Sequence, residues 1–159
     1  MKYNLQLTFQ YGLTIFLSAF LLFQVQPLIG KMILPWFGGS ASVWTTCMLF
    51  FQAMLLAGYA YAHALCRFLS PLAQRRLHSL LLLLGLLSLP LLYRSDATAF
   101  TALPPLAAVL LFLLFTTGLP YFLLSATGPL LQHWFAGRFT TVSPYRLYAL
   151  SNIGSLGGL

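Results

Sequence analysis

Acidic side chains are almost absent from this sequence of 159 residues, which has one Asp or Glu against eight Lys and Arg. Acid–base catalysis by a pair of carboxylates is nearly excluded, because Asp96 is the single acidic residue. Charged residues make up 6% of the chain, whereas a soluble domain carries roughly a quarter. This shortage excludes an ordinary soluble domain and a disordered chain.

Cysteine is also scarce, with two residues, Cys47 and Cys66, near opposite ends of one apolar segment. A helix rises 1.5 Å per residue, so they would stand about 28 Å apart. A disulfide needs Cα atoms closer than about 7 Å. A small disulfide-stabilised scaffold is therefore excluded.

Apolar residues are abundant, at 60% of the chain with a mean hydropathy of +0.88. Since a membrane-spanning helix needs about 20 mostly apolar residues, the sequence predicts an all-α, polytopic membrane bundle forming one domain over 1–159. The predicted spans are about 7–28, 43–65, 77–93 and 104–134, followed by a terminal helical segment at 145–159. The first span could instead be a signal peptide, but no A-x-A cleavage site follows it.

The basic residues are distributed unequally between the two ends of this serpentine. One end holds Lys2, Arg67, Arg75, Arg76, Arg138 and Arg146, and the other holds Lys31 and Arg94. The positive-inside rule therefore predicts a multi-pass protein of the bacterial inner membrane with a cytoplasmic N-terminus. The arginines should attract anionic lipid heads, and no nucleic-acid partner is expected.

Four polar residues in or beside the first two spans are candidates for a cavity lining: Gln24, Gln26, Lys31 and Gln52. An amide in hydrocarbon needs a hydrogen-bond partner, so the glutamines should face protein or water. One interpretation is a polar lining for a cavity or a small anionic ligand. The other is an interfacial belt of aromatic residues with a snorkelling lysine.

Small residues recur at close-packing spacing in two segments. They are Ala53, Ala57, Ala60 and Ala64 in the second span, and Gly154 and Gly158 in the terminal segment. Such spacing lets two helix backbones approach closely. The face of the second span is predicted to pack on a neighbouring helix, most simply the first span. Both segments are also the preferred contact surfaces toward a larger membrane protein or toward copies of the same chain.

The fourth span contains Pro120 and Pro129, which interrupt the helical hydrogen-bond ladder. They predict a kinked helix, or a broken helix that lines a site as in transporters. Of the three histidines, His63 and His133 are weak candidates for haem or metal ligands, because their spacing matches no ligand signature. No cofactor is predicted.

Two strings carry a family resemblance: P-x-F-G-G-S-x-x-V-W over 35–44 and P-Y-R-L-Y-A-L-S-N-I-G-S over 144–155. They resemble the bacterial membrane-bound spermidine-synthase-like proteins, in which a major-facilitator-like membrane domain is fused to a spermidine synthase domain. The resemblance implies that the chain corresponds to the membrane part. The Gly-rich loop and acidic residues of the synthase part are absent from this sequence, so no enzymatic activity is expected.

The sequence thus favours a non-catalytic membrane module, an accessory or structural subunit that packs against a larger membrane protein or against itself. Three alternatives remain open. They are a transporter-like fragment for a small solute, a haem- or metal-binding membrane subunit, and an inactive truncated piece of a membrane-bound aminopropyltransferase-like protein.

Overall fold

A computed structural model describes residues 5–92, 97–100, 102–139 and 145–159, and over these residues it is helical without any strand. The predicted all-α class is confirmed. Lys2, Arg94 and Asp96 lie outside the described residues. The helices are α1 (Leu5–Met32), α2 (Leu34–Phe37), α3 (Ala41–Phe68), α4 (Pro71–Leu92), α5 (Pro105–Leu113), α6 (Leu119–Arg138) and α7 (Tyr145–Gly157). A 3₁₀ turn at Ala97–Phe100 precedes α5, and a π-helical turn at Leu114–Gly118 joins α5 to α6.

Three helices are long and apolar enough to cross a membrane: α1 from Gln6, α3, and the continuous α5–α6 helix Pro105–Arg138. They indicate a membrane protein. Helix α4 is not among them, so the predicted arrangement of four spans is not confirmed. It begins at Pro71, ahead of the apolar run predicted from 77, and so includes Gln74, Arg75 and Arg76.

The reversal between α1 and α3 follows from its proline and glycine residues. Pro35 lies in the first turn of the short helix α2, where its missing N–H is not needed. Gly38 ends that helix at φ +72°, a backbone conformation that glycine adopts without steric cost. Ser40 then caps α3, because its Oγ accepts a hydrogen bond from the Val43 N–H at 3.4 Å.

The long α5–α6 helix is central to the bundle, since α1, α3 and α4 all pack on α6. The interruption predicted at Pro120 takes the form of a π-helical turn just before this proline, and the helix does not break there. The hydroxyls of Thr116 and Thr117 donate to the Phe112 and Leu113 carbonyls, at 2.7 and 2.9 Å. These bonds satisfy backbone oxygens where the helical ladder changes its spacing.

Two close helix contacts depend on glycine. Helix α7 packs against α1, with its Gly154 and the following Gly158 facing the carbonyl oxygens of Phe16 and Phe20. A Cβ at either glycine would come within 2.5 Å of that oxygen. On the inner side of α3, Gly58 faces Ser125 of α6 so closely that an added Cβ would overlap the serine Oγ.

Candidate functional site

The polar residues predicted to line a cavity do not form one lining in the structure. Gln26 Nε2 donates to the hydroxyl of Tyr121, a buried residue of α6, at 2.8 Å. Lys31 is exposed, Gln24 is half-buried, and Gln52 is exposed on α3. Residues two apart on a helix point about 200° away from each other, so Gln24 and Gln26 cannot share a direction. The contact of Gln26 joins α1 to α6.

A different polar cleft lies between α1, α6 and α7, with Tyr59 of α3 at its side. Its volume is about 290 Å³. Its lining residues from α1 and α6 come from the middle of these helices, and the cleft is open on the side where Tyr59, Tyr148 and Asn152 are exposed. Its polar lining includes Ser18, Tyr59, Ser125, Gln132, Ser151 and Asn152. No charged residue lines it.

Two serines of this cleft already form hydrogen bonds with carbonyls of their own helices. Ser18 Oγ donates to the Ile15 carbonyl at 3.0 Å, and Ser125 Oγ donates to the Phe122 carbonyl at 2.7 Å. The amides of Gln132 and Asn152 make no side-chain hydrogen bond within the described part of the chain. Each amide both donates and accepts, so these two side chains can bind a neutral polar group.

Sequence reasoning missed these amides, although a signal was present. Gln132 lies in the predicted fourth span and Asn152 in the terminal segment, next to Leu131 and Ile153 respectively. The rule applied to Gln24 and Gln26, that an amide in hydrocarbon needs a partner, applies to them as well.

A buried polar network joins α4 to α6 next to the basic end of the bundle. The single hydroxyl proton of Thr127 goes to the Leu123 carbonyl at 2.8 Å. His78 Nε2 lies 3.2 Å from Thr127 Oγ1. Because the threonine proton is already donated to Leu123, the histidine N–H donates to this oxygen. His78 Nδ1 has no hydrogen-bond partner among the described residues, and no carboxylate orients this imidazole there. The network therefore has the geometry of a structural link rather than of a catalytic triad.

The weak haem or metal candidates, His63 and His133, lie on α3 and α6 and are both exposed. The two imidazoles make no ring contact with one another over the described ranges. No cluster of three or more His, Cys, Asp or Glu side chains occurs in the part of the chain that the structure describes.

Two of the arginines predicted to lie on one side of the membrane line the same pocket. Arg75 from the start of α4 and Arg138 from the end of α6 line the same pocket, together with Tyr11 of α1. Arg67, Arg76 and Arg146 are exposed on α3, α4 and α7.

The alanines Ala53, Ala57 and Ala60 do not pack on the first span, and they lie on a side of α3 that no other described helix covers. Helix α3 buries Gly58 and Ala62 against α6, whereas the opposite side is open. We call that side the outer face of α3. It consists of Gln52, Ala53, Leu56, Ala57 and Ala60, all exposed, and is bordered by the half-buried Ala64. The amide of Gln52 has no side-chain hydrogen bond within the described ranges.

These features define a helical membrane protein with a neutral polar cleft between α1, α6 and α7, a basic pocket at one end and an open small-residue face. No family model, no curated protein and no solved structure matches the chain.

Proposed function

We propose that the protein is a non-catalytic membrane module whose outer face of α3 packs against a transmembrane helix of a second polypeptide. The observation that carries this proposal is the position of Gln52. The amide lies near the middle of a helix that can cross a membrane, on its exposed side. There hydrocarbon offers it no hydrogen bond.

The residues around Gln52 are suited to receiving a helix. Ala53, Ala57 and Ala60 lie beside it and have the shortest side chains available after glycine. A partner backbone can therefore approach closely enough to hydrogen-bond the amide, and van der Waals packing of small residues drives association in a membrane. The partner is a larger membrane protein or a second copy of this chain.

The proposed orientation places the basic end of the bundle in the cytoplasm of a bacterial inner membrane. The support is the shared location of Arg75 and Arg138 with the beginning of α1, because arginines concentrate on the cytoplasmic side. In this arrangement α4 forms a fourth span and α7 lies in the membrane against α1. The resemblance to the membrane part of spermidine-synthase-like proteins agrees with this proposal and stays a prediction.

Association is the property that tests the proposal. In mild detergent or nanodiscs, the wild-type chain is expected to elute in a stoichiometric complex, with its mass measured by light scattering. Ala57→Phe should abolish the complex, because the ring occupies the space of the partner helix. The matched control, Leu84→Phe, changes a residue of α4 that is 49% exposed and should leave the complex intact. A monomeric wild type in nanodiscs, or equal losses in both variants, would contradict the proposal.

A second function is favoured by the polar cleft: binding or passage of a small, neutral, polar solute. The lining offers amides and hydroxyls without charge, which suits a molecule such as glycerol. Proteoliposomes should then admit glycerol faster than protein-free liposomes, measured by stopped-flow light scattering. Asn152→Leu should remove the gain, and Ile153→Leu on the exposed side of α7 should not. Equal rates with and without protein would exclude this function.

A further inference from the structure

The pocket at the basic end of the bundle has a chemistry that the proposed helix contact does not use. It lies where the beginnings of α1 and α4 meet the last turns of α6, and its volume is about 290 Å³. Arg75, His133 and Arg138 line it, with the aromatic side chains of Tyr11 and Trp134. Two cations from two different helices therefore converge on one cavity.

The positive charge of this pocket is not compensated by protein carboxylates. Neither Arg75 nor Arg138 forms an ion pair over the described ranges, and Asp96, the single acidic residue of the sequence, is outside them. The Arg75 Nε donates to the Pro71 carbonyl at 3.2 Å, which holds the side chain along its own helix. This bond uses one N–H of five, so the terminal N–H groups remain for an anion.

The wall of the pocket is fixed by buried hydrogen bonds. Trp134 Nε1 donates to Gln74 Oε1 at 2.7 Å, and Gln74 Nε2 donates to the Leu69 carbonyl at 2.8 Å. Gln74 is only 2% exposed, so these bonds are shielded from water. Tyr11 is held on the other side by an edge-to-face contact with Phe135, at 5.5 Å between ring centroids. The aromatic walls of the cavity are therefore set independently of any ligand.

We propose that this pocket binds an anionic phosphate group, presented by a phospholipid headgroup or by a soluble phosphate. Guanidinium groups bind phosphate oxygens in a bidentate, planar geometry. His133 can add a further N–H donor. Basic pockets between transmembrane helices accept lipid headgroups, and Tyr and Trp side chains lie at headgroup depth.

The test uses native mass spectrometry of the purified full chain with phosphatidylglycerol, phosphatidylcholine and inorganic phosphate as separate probes. Phosphatidylglycerol is expected to stay bound and phosphatidylcholine to be lost, because the choline cation opposes the arginines. Arg75→Gln and Arg138→Gln should each weaken phosphatidylglycerol binding about tenfold. Arg138→Lys, which keeps the positive charge, should bind this lipid more tightly than Arg138→Gln does. The matched control is Arg76→Gln, which removes the same charge from an exposed residue outside the pocket.

Competition identifies the source of the phosphate. If millimolar inorganic phosphate displaces the lipid, the pocket also takes soluble phosphate; if it does not, the lipid headgroup is the ligand. An equal effect of Arg76→Gln would contradict the proposal, because it would reduce binding to general surface charge. The proposal is also wrong if neither phosphatidylglycerol nor inorganic phosphate binds in a manner that depends on Arg75 or Arg138. Thermal unfolding of each variant verifies that it is folded.

Discussion

The glycine pair at the end of α7 and the alanine row of α3 both place small residues three or four positions apart, but their surroundings are opposite. Gly154 and Gly158 each face a backbone carbonyl of α1, whereas Ala53, Ala57 and Ala60 face away from every other described helix. Small residues at this spacing permit a close contact between two helices, but they do not specify which helix is the partner. The first row is used within the chain. The second, with Gln52 beside it, is the row we assign to a partner.

The largest expected effect is a loss of stability on substitution of Gly154, because this glycine already packs against α1. Gly154→Leu should lower the free energy of unfolding by about 3 kcal/mol, because the new side chain collides with the Phe16 carbonyl, which is backbone and cannot rotate away. Unfolding by SDS in mixed micelles measures this loss.

Two controls separate this collision from an effect of substitution in general. At Gly137 of α6 a Cβ meets no atom within 4 Å and alanine favours a helix over glycine, so Gly137→Ala should not lower the stability. Ala57→Leu should change the stability of the isolated chain by less than about 0.5 kcal/mol, as is usual for a surface substitution. If Ala57→Leu destabilised the isolated chain as much as Gly154→Leu, the two rows would not differ and the comparison would fail.

A smaller effect is expected from the amide beside the alanine row. Gln52→Leu should weaken association with the partner by about 1 kcal/mol, roughly fivefold, which is the size of one interhelical hydrogen bond in a membrane. Titration in micelles with a fluorescent label measures the change. The control Gln10→Leu removes an exposed amide from α1 and should have no effect. Stronger association of Gln52→Leu would show that the amide faces lipid.

The sequence predicts which segments are long apolar helices better than it predicts the direction in which a residue faces around a helix. Hydropathy places the spans because burial in hydrocarbon depends on local composition. Which side a residue faces depends on the neighbouring helices, so Gln24, Gln26 and Lys31 could not be divided among different surroundings beforehand. For the same reason, the grouping of Gln132 with Asn152 became visible only when α6 and α7 were placed on α1.

The extent of α4 shows a second limit of the prediction. The predicted segment began at 77, where the apolar run begins, but the helix begins at Pro71. Pro71 after Ser70 is a typical helix start, because proline at the first position loses no hydrogen bond. Hydropathy finds the part of a helix inside a membrane and misses turns that extend beyond it. Here those turns carry Gln74, which holds Trp134 in the wall of the basic pocket, and Arg75, one of the two arginines that line it.

Photo-crosslinking in intact membranes tests the central claim most directly, that the outer face of α3 contacts a second polypeptide. A benzophenone-bearing phenylalanine replaces Ala57 in one variant and Leu84 in the other, and adducts are separated by mass after irradiation. Position 57 is expected to give a defined polypeptide adduct and position 84 none, and the mass of the adduct distinguishes a second copy from another membrane protein. No polypeptide adduct from position 57, or equal adducts from both positions, would contradict it.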